Sequence, residues 1–226
     1  MNYTESNLLN LFGNTLSNNL LDNRVIQKWS NHDYNASRFY TTGFETILFS
    51  KETSFVLETV LASSVSWDRE ILIAGNSKSV ENLYRTVSKQ NLTSHCFNWS
   101  SDNWDDFENN LSRCSNVTHL LVGIDSETSM DTVPIKKLLQ LATKNRYSLI
   151  VYCDTEVTGI NDIFDGAIDY MIGSVSEDPL LSFVVARRNR LVQTEGKTRT
   201  FGKDLYLFWQ WSVRDRGAYI EPMKGK

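Results

Sequence analysis

Short apolar runs alternate with stretches of helical period through most of this chain, and few folds accept that alternation. EILIA, ending at Ala74, is followed by Val80, Leu83, Tyr84 and Val87, spaced i, i+3, i+4 and i+7 on one helical face. THLLVGI, from Thr118 to Ile124, repeats the first half of the unit. Thr132, Val133 and Pro134 then predict a helix start, because proline suits a first turn in which its missing N–H has no partner to lose. That helix carries Ile135, Leu138, Leu139 and Ala142 on one side and Lys136, Lys137 and Lys144 elsewhere. SLIVY, from Ser148 to Tyr152, comes next, then a polar turn, a short helical segment around Ile163 and Phe164, and two further strands in DYMIG and SFVVA. Strands that read as unbroken apolar runs are buried on both faces, so the expected class is α/β, a mainly parallel sheet with helices on both sides.

The ends are less regular. Residues 1–43 are rich in Asn and Ser, their leucines hold no single period, and they are expected to form an irregular segment before one domain over 44–226. Within Phe44–Val65, the residues Phe55, Val56, Leu57, Val60 and Leu61 predict a helix buried on most of its surface. In the tail, Leu205, Phe208, Trp209 and Ser212 share a helical face that must bury against its own domain or a partner. A length of 226 residues supports one sizeable core.

Charge and cysteine usage exclude several functions. The 23 basic residues are scattered among 27 acidic ones for a net charge of −4, which gives no electrostatic case for nucleic acid or an anionic membrane. No apolar run approaches the roughly 20 residues of a membrane span, and MNYTESNLLNLF lacks the order of a signal peptide. Cys96, Cys114 and Cys153 are odd in number and unpatterned, which fits reduced thiols in the cytoplasm. His32, His95 and His119 are isolated from one another in sequence, so no metal site is expected.

Three blocks carry a family resemblance: THLLVGIDSETSMDTVPIKKL, SLIVYCDTEVTGINDIFDGAIDYMIGS and SFVVARRNRLVQTEGKTRTFGKDLYLFW. Together they resemble the large domain of the class V aminotransferases of pyridoxal-phosphate fold type I, most of all the 2-aminoethylphosphonate:pyruvate branch. The last block is the most specific. Arg199, Asp204, Leu205, Tyr206 and Trp209 fall where that family carries its Arg-Ser-Leu-Ser-Leu-Asp-Leu-Tyr segment. Weaker similarity runs back through Phe55 to Leu61 and Asp33, Tyr34 and Asn35, while the stretch from Asn35 to Glu45 is shorter than in the family. The resemblance stops where the family's large domain stops, so the small C-terminal domain is expected to be absent.

The resemblance also implies where a pyridoxal-phosphate site would lie, and the residues there depart from it. A lysine should follow the strand DYMI; the turn reads Gly173, Ser174, Val175, Ser176 and Glu177, and a carboxylate cannot form an imine. Glu177 reads more simply as a solvated loop acid. The acid that protonates the pyridine nitrogen should end SLIV, where Tyr152 stands, with Asp154 two residues on. The phosphate loop Gly-Ser-Gly-Thr is matched by Lys51, Glu52, Thr53 and Ser54, so an ordinary capped helix is expected there. Gly75 is kept from the turn that holds the ring-stacking tyrosine, but Ser77 takes the tyrosine's place. Glu127 and Thr128 survive from a Glu-Thr-Ser-Thr-Gly turn, which leaves Ser54 and Thr128 as the weak candidates for cofactor contact.

Three functions follow from the resemblance. The first is a catalytically degenerate, aminotransferase-like pseudoenzyme without bound cofactor, acting as an interaction or assembly module in a homodimer or in a heterodimer with an active transaminase. The second is a 2-aminoethylphosphonate:pyruvate-type transaminase of phosphonate metabolism whose pyridoxal-phosphate site is completed by another chain. It needs a lysine from elsewhere, and Lys51, Lys78 and Lys203 are the ones near segments that would line the pocket. The third is a fold inherited without a selected activity.

Overall fold

The computed structural model describes residues 43–111, 114–125, 128, 133–153, 167–175 and 178–220, with backbone alone at 110, 175, 178–181 and 213–220. The segment 1–42, the expected short helix around Ile163 and Phe164, and the site positions Glu127, Asp154 and Glu177 lie outside the described residues.

The described strands are β1 (Phe44–Phe49), β2 (Glu70–Gly75), β3 (Thr93–Asn98), β4 (Val117–Ile124), β5 (Ser148–Cys153), β6 (Tyr170–Val175) and β7 (Asp178–Arg187). The helices are α1 (Thr53–Ser64), α2 (Ser77–Lys89), α3 (Trp104–Leu111), α4 (Ile135–Asn145), α5 (Arg188–Val192) and α6 (Leu205–Ile220). All seven strands form one sheet in the order β1-β7-β6-β5-β4-β2-β3. Only β7 opposes the rest, pairing antiparallel with both β6 and β1, whereas β2 through β6 pair parallel. The mainly parallel α/β fold expected from the alternation is present.

Alternate residues of each strand feed two cores. Ile71, Ile73, Leu121, Ile150, Tyr170 and Ile172 face α1, α2, α5 and α6; Leu72, Ala74, Leu120, Val122, Leu149 and Val151 face α3 and α4. Central strands therefore read as apolar throughout, with Ile71, Leu72, Ile73 and Ala74 all at 0% exposure. The edge strand β3, TSHCFN, has only Phe97 buried on the α3 side, and there Trp104 and Phe107 pack against its ring. α2 lies directly on β4 because Gly123 has no side chain: a β-carbon there would come within 2.6 Å of Leu83 Cδ1. Tyr84, placed on the buried face by spacing alone, is 49% exposed, because Leu83 and Val87 point into the sheet and rotate it outward.

The aromatic tail is spent largely on its own domain. Leu205 and Phe208 are fully buried, and the Phe208 ring meets Phe49 and Phe55 edge-on at centroid distances of 5.0 and 6.4 Å. Leu207, Trp209 and Trp211 pack against the same core while remaining partly exposed. Arg199 ties this block down. Its guanidinium donates to the Leu61 carbonyl near the end of α1 and to the Gln90 carbonyl that closes α2, each at 3.2 Å. A cation at two helix carboxyl ends opposes both helix dipoles, and it gives the Leu61 carbonyl a second donor beside the Val65 N–H at 3.1 Å.

His119, near the start of β4, makes stability pH-dependent. Burial, and then Arg190, push its pKa down to about 4, against a weaker upward pull from Asp169. The unfolded chain binds that proton at higher pH than the fold does, so stability falls as pH drops from about 6.5 to 4 and is unaffected above 6.5. His119→Gln should remove about 3 kcal/mol of that acid-side loss, read as a flatter urea-midpoint profile between pH 7 and pH 4.

Candidate functional site

In an open parallel sheet, ligands sit outside the carboxyl ends of the strands, where loops lead into helix amino ends. Here those ends are Gly75 of β2, Ile124 of β4 and Cys153 of β5, facing the starts of α1 and α2.

Asp125, the residue after β4, organises one side of this region. It is 8% exposed and accepts from the Asn76 amide at 3.0 and 3.1 Å, from the Ser79 hydroxyl at 2.9 Å and from the Thr128 hydroxyl at 2.7 Å. Asn76 in turn caps α2, its side-chain oxygen accepting from the Ser79 N–H at 2.9 Å. The strand end and the helix start are thus locked by one carboxylate, as a buried charge requires. Ser77, one residue on, accepts from the Asn98 amide at 2.7 Å and is tied to the edge of the sheet.

Tyr152 organises the other side. It stands on the face of β5 that looks toward α1, and its hydroxyl shares a 2.9 Å hydrogen bond with Oγ1 of Thr53, the first residue of that helix. The expected cap on α1 is not found: Glu52 occupies the N-cap position and makes no side-chain cap bond. A glutamate side chain is too long for the tight return to the N2 or N3 amide that Ser, Thr, Asp or Asn makes. Ser54 turns to the Glu52 carboxylate at 3.4 Å, while the Ser182 hydroxyl of β7 donates to the Lys51 carbonyl at 2.5 Å. Lys203 is held by Glu58 and lies over the Phe55 ring at 5.7 Å.

The structure thus brings Thr53 to Tyr152 and Thr128 to Asp125, and it keeps Ser54 out of both groups. Asp125, Asn76 and Ser79 were not singled out from sequence, though an asparagine just before an amphipathic run is an N-cap signature. Away from this region, His95 is less isolated than its sequence neighbours imply. Its Nε2 meets Glu70 at 2.8 Å and its Nδ1 faces the Cys114 sulfur at 3.8 Å. The three donor atoms form the kind of cluster that could hold a metal, but the imidazole turns its two nitrogens to different partners.

No family model matches the chain. It is 26% identical over 185 residues to 2-aminoethylphosphonate–pyruvate transaminase of Bacillus cytotoxicus, covering 78% of this chain and 50% of that protein. The same-named protein of Klebsiella pneumoniae is 25% identical over 186 residues, with the same two coverages. The fold matches an alanine–glyoxylate aminotransferase from a Nostoc species with a TM-score of 0.60 at 13% identity, over 87% of this chain and 56% of that one. These likenesses support the class V aminotransferase family for this chain. Its sheet and the helices on it are those of fold type I, and the chain spans about half the length of the curated family members it matches. Among the described residues, no helix is long and apolar enough to cross a membrane.

Proposed function

We propose that this aminotransferase-like chain is catalytically degenerate and serves as an interaction or assembly module. The carrying observation is the Tyr152–Thr53 hydrogen bond. Where the family requires a charged acid under a pyridine nitrogen, this chain has a neutral phenol, and that phenol is engaged by the first residue of the helix that would cradle a phosphate. Glu52 adds a carboxylate at that helix start, and Ser77 offers a hydroxyl tied to Asn98 in place of a stacking ring. These residues do not fit pyridoxal phosphate, and we derive no transamination step through it.

The half-covered side chains Leu207, Trp209 and Trp211 on α6 support an assembly role, since they leave apolar surface beside an otherwise complete core. The reading in which another chain completes a working transaminase rests on the half-length match alone.

Purified protein mixed with pyridoxal phosphate should show no absorbance band near the visible edge that borohydride fixes to a single lysine. A one-to-one fixed adduct would overturn the degenerate reading. Size-exclusion chromatography, alone and with an active transaminase of the family, should give an assembly larger than the monomer; a strictly monomeric, non-binding protein would remove the module reading.

A further inference from the structure

At the opposite end of the sheet from the region just described lies a cavity of about 200 Å³, between the amino ends of β4, β5 and β6 and the turn after α5. Its lining is polar and basic. Arg146, Arg190, Lys197 and His119 contribute to it, together with the hydroxyl residues Ser148 and Thr194, and among the described residues no carboxylate lines it.

Asp169, beside the lining residues Ser148 and Arg190, is already satisfied. Its Oδ1 takes Arg187 at 3.2 Å and Arg190 at 3.1 Å, and its Oδ2 accepts from the Ser148 hydroxyl at 2.8 Å. Asp169 therefore orients Arg190, with help from Gln193 at 3.3 Å, without neutralising the cavity as a whole. Arg146 and Lys197 make no side-chain ion pair among the described residues. Arg146 closes α4 in the left-handed region, at φ 58°, a conformation that glycine or asparagine adopts at lower cost. His119 supplies a buried polar group of a second kind. It is 8% exposed, its Nδ1 is bonded to the Thr118 hydroxyl at 2.8 Å, and its other ring nitrogen has no partner among the described residues. In the tautomer in which Thr118 donates to Nδ1, the proton of the neutral ring sits on Nε2, where it is available as a donor.

The geometry points to a binding site for a small oxyanion, a phosphate group free or bearing a short organic tail, held by Arg146, Arg190, Lys197 and His119. Forked guanidinium donors suit tetrahedral oxyanions, and hydrogen bonds between charged partners are the strong ones. The volume lies below the roughly 300–1,000 Å³ of sites for drug-sized ligands, which limits the tail to a few atoms. The site is independent of the degenerate cofactor region and stands whether or not that reading holds.

Inorganic phosphate and pyrophosphate, titrated against the full chain, should raise the melting temperature and saturate, with sodium chloride at matched ionic strength producing no such shift. Anionic vesicles containing phosphatidic acid form a second arm: binding to vesicles but not to free phosphate would move the ligand to a lipid headgroup and overturn the small-molecule site. Arg146→Ser and Lys197→Ser, both at exposed side chains, should each weaken phosphate binding by about tenfold, the loss expected for one charge-assisted contact. Lys136→Ser, on the outer side of α4, should leave it unchanged. A chloride shift equal to that of phosphate, or undiminished phosphate binding in the Arg146→Ser, Lys197→Ser double variant, would refute the site.

Discussion

Replacing Asp125 by alanine should destabilise the fold by about 3 kcal/mol, at the upper end of the cost of leaving buried polar groups unsatisfied. The carboxylate receives Asn76, Ser79 and Thr128, and its removal leaves one buried donor, Ser79, and two half-buried ones without their acceptor. It also frees Asn76, whose cap on α2 depends on being held from both sides. Thr128→Val removes one donor from the same group and should cost about 1 kcal/mol. Urea unfolding of the two variants checks the order, and equal losses would show that Asp125 does not organise the network.

Phe208→Ala should cost about 3–5 kcal/mol, the range for truncating a buried phenylalanine. Phe208 is fully buried and touches β1 through Phe49 and α1 through Phe55, so its removal opens a cavity where three elements meet. The result also decides what α6 is for. If its apolar face served chiefly to dock a partner, the isolated protein would lose less than about 1 kcal/mol, as for an ordinary surface substitution.

The legible parts of the fold were those in which both faces of an element are buried or one face is cleanly apolar. EILIA, THLLVGI and SLIVY became β2, β4 and β5, and the face holding Leu83 and Val87 became the buried side of α2. β3 was missed because an edge strand covered on one side carries Thr, Ser, His and Asn, which give no apolar run. β1 was missed because its apolar residues run straight into α1 and read as one helical stretch. The reversal of β7 was hidden for a different reason: SFVVA is apolar in either direction, and only its pairing with β6 reveals the hairpin. At the candidate site, the resemblance located Tyr152 and Thr53 one by one, but nothing in the spacing of residues 99 apart says that they meet. Asp125 was overlooked because a single acid after a strand looks like a loop residue until its three donors are seen.

The position of β7 also sets an order of events for a chain emerging from the ribosome. Among the described strands β1 pairs with β7 alone, and its Glu45 is bound by Arg188, 143 residues further on. β2 to β6 can assemble among themselves as they are made, since each connection between them is short. β1 has no such option. Until residues 182–187 are synthesised, Ile47 and Phe49, buried in the finished fold, lack the one described strand they lie beside. Apolar surface left uncovered in that interval is open to aggregation and to chaperone capture, and insertion of β7 between β1 and β6 covers it.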